Sequence, residues 1–194
     1  MTRTLKIQGQ TPRTFGHLLI VACLLAVGGC GAAYEYLTGD SPWKEYTFRN
    51  GDLIASLPFE LKNEPPRASQ KDNFAHSERY EGGNEALRVA VSYMELRPGR
   101  GFVFKSLFDY SLAALKARKD MRVVGQKYED FKIGRYSAGK MAVDLISDGF
   151  EARMEYVYVL TAEDKCWCVL NTYPRGNGKS KEASDKVLNS IRLR

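Results

Sequence analysis

FEARMEYVYVLTAEDKCWCVLNTY, residues 150–173, holds two long apolar runs joined by the polar turn AEDK. In the first run Phe150, Ala152, Met154, Tyr156, Tyr158 and Leu160 fall on every second position. Side chains two apart point to the same side of an extended chain, so this spacing predicts a strand with one apolar face from Phe150 to Thr161. The run CWCVLNTY after the turn is rich in β-formers and predicts a second strand, antiparallel to the first.

Working outward, Arg122 to Ile133 and Lys140 to Ser147 predict two more strands, set apart by Gly134, Gly139 and the pair Asp148-Gly149. The period changes over Phe104 to Lys119. There Phe104, Leu107, Phe108, Leu112 and Leu115 recur at steps of three and four and line one helical stripe, while Lys105, Asp109, Lys116 and Lys119 lie opposite. NFAHSERY and LRVAVSYMEL flank EGGNE as a hairpin, and YTFRNGDLIASLPFEL holds another around Asn50-Gly51. Residues 62–72, KNEPPRASQKD, read as a polar loop. After PRGNGKS a helix is expected from about Ser180 to Ile191, with Ser180 as its N-cap and Ala183, Val187, Leu188 and Ile191 inward. Strands, helix, strands, helix, with hairpins dominating, describe an α+β domain: a mostly antiparallel sheet of about 6–8 strands with a central and a C-terminal helix packed on it.

The first 30 residues differ from the rest. Arg3, Lys6 and Arg13 are the only charged residues before Glu35, so about half of the +6 net charge belongs to this segment. What remains is close to balanced and has no long Lys/Arg run, which argues against a nucleic-acid surface. A basic start followed by the apolar run Leu18 to Val27 is the layout of a secretory signal peptide. It ends in Val27-Gly28-Gly29-Cys30, which resembles the lipobox of bacterial lipoproteins. The resemblance implies cleavage before Cys30, a diacylglyceryl group on its thiol, and a membrane as first partner. Ile20 to Cys23 fits the same pattern but would leave a much shorter apolar run and put Leu24 and Leu25 in the tether. The competing reading is an uncleaved anchor, because the 21 uncharged residues between Arg13 and Glu35 approach the ~20 needed to cross a bilayer. The expected organisation is a signal peptide over 1–29, a lipidated cysteine and tether over 30–45, and a domain over 46–194. That domain would be extracytoplasmic, on the periplasmic side of the outer membrane in a diderm cell, since Gly31 rather than Asp follows Cys30.

The order of elements from Tyr46 to Arg194 resembles the PsbP/Mog/DcrB superfamily: an opening strand ending in Pro (DLIASLPFEL), a meander, a central helix, more strands, and a last helix ending VLNSIRLR. Phe59 and Leu61 stand where the superfamily often has Trp. Its members are photosystem accessory subunits, a small-GTPase binding factor and envelope lipoproteins, so the resemblance implies a non-catalytic binding domain with a protein partner in the envelope.

Three constellations in the sequence could carry chemistry. Cys166 and Cys168 would share one strand face, but extended geometry holds their Cβ atoms well beyond the ~3.8 Å of a disulfide, so packed thiols are the first reading. His76, the one histidine after the signal segment, has Ser77 beside it but no nucleophile elbow. PRGNGKS lacks the glycine spacing of a phosphate-binding loop, although Arg175, Lys179 and Lys181 could meet an anionic partner. No cofactor and no metal are expected. Core packing is the first reading of Tyr156, Tyr158 and Trp167, which are also the residues to consider if the aromatic side chains form an interface patch. A hydrolase or thiol-dependent enzyme, and a metal or ligand carrier, stay open as other classes.

Overall fold

The structure, a computed structural model, describes residues 43–65 and 74–194. Cys30, the lipobox residues Val27, Gly28 and Gly29, and the tether therefore lie outside the described residues. The elements are β1 (Lys44–Phe48), a 3-10 turn (Arg49–Gly51), β2 (Leu53–Leu57), β3 (Lys62–Glu64), β4 (Phe74–Gly83), β5 (Arg88–Leu96), α1 (Phe104–Lys116), β6 (Met121–Ile133), β7 (Tyr136–Ser147), β8 (Phe150–Ala162), β9 (Lys165–Pro174), α2 (Gly178–Asn189) and β10 (Arg192–Leu193).

Seven strands form one sheet in the order β3-β4-β5-β9-β8-β7-β6, and β1-β2-β10 form a smaller one. Every pairing is antiparallel. The hairpin of residues 150–173 is the centre of the large sheet, with Val157 opposite Val169 and Tyr158 opposite Cys168. Both faces of these strands are covered. On one face α1 packs Phe108 and Leu115 against Met141, Met154, Tyr156 and Leu170. On the other, the small sheet and α2 bring Leu53, Leu57, Val187 and Ile191 onto Val91, Val159, Trp167 and Val169. Double coverage explains why β8 and β9 read as nearly unbroken apolar runs rather than as strict alternation.

Helix α1 has no side-chain cap, since Val103 occupies the N-cap position. Packing makes up for it: full burial of side chains such as Leu115 and Phe108 is worth about 1.5–3 kcal/mol each, against ~1 kcal/mol for a capping hydrogen bond. The helix stops at Lys116, three residues before the expected end, because Met121 already pairs with Ser147 and the residues between must turn the chain.

Further expectations are corrected. Strand β7 begins at Tyr136, not Lys140. Gly139 is not a separator but an interior strand residue, and a Cβ there would stand 2.8 Å from Cζ of Phe108, so its bareness lets α1 approach. The N-cap of α2 is Asn177, whose side chain accepts a hydrogen bond from Ser180 N at 3.1 Å. Ser180 itself is buried inside the first turn. Finally, Lys62–Glu64 at the start of the supposed polar loop pairs with Arg79–Glu81 as a short edge strand. The chain joins the domain slightly earlier than expected: β1 starts at Lys44, and the Nζ of Lys186 lies 4.0 Å over the ring of Trp43.

Candidate functional site

Of the two readings of Tyr156, Tyr158 and Trp167, the interface patch is corrected and core packing holds, since all three are at most 2% exposed. Tyr156 and Tyr158 stack on the α1 side of β8 with ring centroids 6.1 Å apart. The Tyr158 hydroxyl shares a buried hydrogen bond of 2.7 Å with Ser111 Oγ, which ties α1 to the sheet. Trp167 points to the opposite side and meets Tyr93 at 5.1 Å. These rings are hidden because β8 and β9 are covered on both faces, a property that alternation within one strand does not reveal.

Cys166 and Cys168 are free and buried on the α1 side, in one cluster with Leu170, Tyr156 and Tyr158. Cys166 Sγ donates to the carbonyl of Trp167 at 3.3 Å. Burial raises the pKa of both thiols, that of Cys168 to about 12. Nucleophilic attack and metal ligation use the thiolate, which this interior disfavours strongly. His76 is half exposed on β4 and bonds Glu78 at 2.7 Å. Ser77, its neighbour, points to the other face of the strand. Around His76 the side chains form a clamp: Tyr80 donates to Glu78 at 2.8 Å, Arg49 approaches Glu78 at 3.4 Å, and the Arg49 guanidinium lies 4.0 Å over the Tyr93 ring. Arg49, Asn50 and Gly51 all have positive φ, so this turn is bent sharply to place Arg49 there. The cluster fastens the small sheet onto the large one. Of EGGNE, Glu81, Gly82 and Gly83 end β4 and Asn84 opens the hairpin turn, where its Oδ1 accepts from the amides of Ala86 and Leu87 at 2.9 and 3.1 Å.

A groove of about 190 Å³ lies between the first turns of α2 and the face of β6, β7 and β8. Lys127, Lys140, Arg153 and Lys181 line it with Glu129, Glu155 and Asp185. Its floor is a buried polar network. Glu155, 4% exposed, takes Lys140 at 3.1 Å on one oxygen and the Ser184 hydroxyl at 2.8 Å on the other. Asn171, fully buried, donates to both Oγ and the carbonyl of Ser184, at 2.9 and 3.2 Å. At one end Arg153 grips Asp144 with two bonds of 2.7 and 3.0 Å. Those bonds hold the Asp144 carboxyl below its usual range despite partial burial. Arg175 adds contacts of 3.7 Å to Asp144 and 3.5 Å to Glu151. On the rim Lys181 pairs with Asp185 at 2.5 Å, one helical turn away.

The groove is thus a mixed-charge concavity whose ionic groups are paired with one another, while the buried Oδ1 of Asn171 in its floor accepts no hydrogen bond. Of the basic residues marked in the sequence, Lys181 lines it and Arg175 stands at its end through Asp144. Glu155, Asn171 and Ser184 were missed. The available signal was Glu155 interrupting the apolar run MEYVYVL, where a charge on a doubly covered strand demands partners.

Among the described residues no helix is long and apolar enough to cross a membrane, and no cluster of His, Cys, Asp and Glu could hold a metal ion. The seven-stranded antiparallel sheet, with one helix on one face and a helix plus a small sheet on the other, makes an α+β domain with a PsbP-like fold. It is similar to the solution structure of cyanobacterial PsbP (CyanoP) from Synechocystis sp. PCC 6803, with a TM-score of 0.52 over 88% of this chain and 99% of that one, at 11% identity. Weaker likeness extends to LpqN of Mycobacterium tuberculosis, involved in cell envelope biogenesis (TM-score 0.48, 12% identity, 86% and 99% covered). It extends also to the Ran-binding protein Mog1p of Saccharomyces cerevisiae (0.44, 10%, 79% and 96%). No protein-family model matches the chain, and neither does any curated protein. The likeness is one of fold.

Proposed function

We propose that this chain is an envelope lipoprotein, cleaved before Cys30 and lipidated on its thiol, whose domain is a non-catalytic binding or accessory module. The observation that carries it is Val27-Gly28-Gly29-Cys30 closing the ten-residue apolar run Leu18 to Val27, followed by a dozen residues before Trp43 enters the domain. Two or more acyl chains hold such an anchor stably, each buried methylene contributing about 0.8 kcal/mol. The dozen residues reach at most ~40 Å, so the domain works close to the lipid surface. The sealed, protonated thiols and a histidine engaged in a structural clamp support a binding role over a catalytic one. The mixed-charge groove beneath α2 is the recognition surface, for a protein partner in the envelope.

Labelling with a radioactive fatty acid in cells tests the anchor. The wild type should incorporate label and run at the size of the cleaved chain, and Cys30→Ala should do neither. Membrane-bound protein of full size without label would instead establish an uncleaved span, and label retained by Cys30→Ala would move the site elsewhere.

A further inference from the structure

The two halves of α2 are held to the domain by different chemistry. The second half buries Val187, packs Leu188 beside it, and leads into the buried Ile191. It is fastened at its flanks as well: Ser190 Oγ accepts from the Ser56 amide at 2.8 Å, and the Nζ of Lys186 lies 4.0 Å over the Trp43 ring. In the first half the buried residues are Ser180, Ala183 and Ser184, so one methyl group is all the apolar surface it brings to the sheet. Burial of an apolar face is what holds most protein helices in place, and here it is concentrated after residue 186.

The layer beneath the first half is polar and incomplete. Asn171 donates to Ser184, and Ser184 donates to Glu155 at 2.8 Å. Yet Asn171 Oδ1 and Ser180 Oγ, both sealed from water, make no hydrogen bond. A buried polar atom without a partner costs free energy that hydration gives back, so part of the cost of lifting the first two turns is offset as soon as water enters. The chain ahead of the helix permits the movement. Arg175 stays with the sheet through its amide, which donates to the Glu151 carbonyl at 3.0 Å, and through its contacts with Asp144 and Glu151. Gly176-Asn177-Gly178 follows, with Gly176 at a φ of +83°, and its glycines leave the link free to turn. The pair of Lys181 and Asp185 lies within the first half and travels with it.

We propose that residues 178–185 form a lid that opens about the Gly176–Gly178 link while residues 186–191 stay docked and the rest of the domain stays folded. Opening bares Glu155 and Asn171 to the groove and withdraws the wall that Lys181 and Asp185 give it, so the groove becomes wider and deeper. As a gate to the recognition surface the lid rests on the reading of the groove given above; the opening itself does not.

Hydrogen exchange of the full chain in detergent micelles, read by mass spectrometry at single-residue resolution over α2, tests the lid. Corrected for intrinsic rates, the amides of residues 182–185 should exchange at least about tenfold faster than those of 187–189, the mark of an opening smaller than the domain. Urea too dilute to unfold the domain should leave the first group unchanged and speed the second, because a small opening exposes little surface. Ser180→Cys keeps a side chain of similar size and helix propensity but buries a group with little need of a hydrogen bond. It should stabilise the closed lid and slow exchange at 182–185 about three- to tenfold, a response that simple fraying of a helix end would not give. Equal protection along α2, the same urea dependence in both halves, or exchange that Ser180→Cys leaves unchanged or makes faster would each overturn the lid. All of these read the chain without a partner, so they would overturn it while leaving the groove as a recognition surface untouched.

Discussion

Lys140 Nζ lies 3.1 Å from Glu155 Oε1 beneath helix α2, where Glu155 also takes the Ser184 hydroxyl. The carboxylate is nearly sealed from water, so its charge is tolerable only while both partners hold it. Lys140→Met should destabilise the domain by about 3 kcal/mol, the typical result of stranding a buried charge. Lys140→Met combined with Glu155→Leu should lose distinctly less than the two single losses added together. Urea unfolding of the four proteins measures this coupling, and strict additivity would show that the pair does not act as one unit.

Asn177 and Ser180 exchange roles relative to what the sequence suggests, and their alanine variants separate the two readings. Asn177→Ala removes the acceptor of the Ser180 amide and should cost about 1 kcal/mol. Ser180→Ala should be neutral or slightly stabilising, because Ser180 Oγ is buried and makes no hydrogen bond in the structure. Thermal melts of both variants give the order directly.

Gly139→Ala should cost about 1–3 kcal/mol, as overpacking does, because the added methyl would press on Phe108 and Phe104. Combining it with Phe108→Leu should remove much of the strain, so the double variant should lose less than the sum. A loss unchanged by Phe108→Leu would place the strain elsewhere.

What the sequence made legible follows from the range of the forces. Local periodicity located β8, β9 and α1, since alternation and the three-four step are written within one segment. Asn50-Gly51 and EGGNE likewise located their hairpins by local backbone demands. Gly139 misled because a glycine required by a distant ring looks the same as a glycine required by a turn. Tyr156, Tyr158 and Trp167 could not be placed inside or outside from β8 and β9 alone, because their burial depends on α1, α2 and the small sheet arriving from elsewhere in the chain. Glu155 escaped notice for the same reason, since Lys140 lies on β7 and Ser184 on α2, and Asn171 on β9 joins them only through Ser184.

The buried thiols and phenols predict an alkaline limit to stability. Burial raises Cys168 from its ordinary value near 9.0 to about 12, and pushes Cys166 and Tyr158 upward as well. Each is neutral when protonated, so the native state holds its proton to higher pH than the unfolded chain does. The contribution of these groups is therefore complete below pH ~9, the unfolded thiol range, and drains away as pH rises toward 12, because the unfolded chain releases protons first. Urea midpoints should stay level with respect to these thiols up to about pH 8 and fall steadily above about pH 9. Cys166→Ala/Cys168→Ala, though less stable at neutral pH through the lost packing, should show a shallower alkaline decline. Over the same range a thiol reagent should label wild-type protein slowly until urea unfolds it. Rapid labelling of the folded protein at pH 8 would mean that the thiols are reachable and that their burial is not what sets the slope.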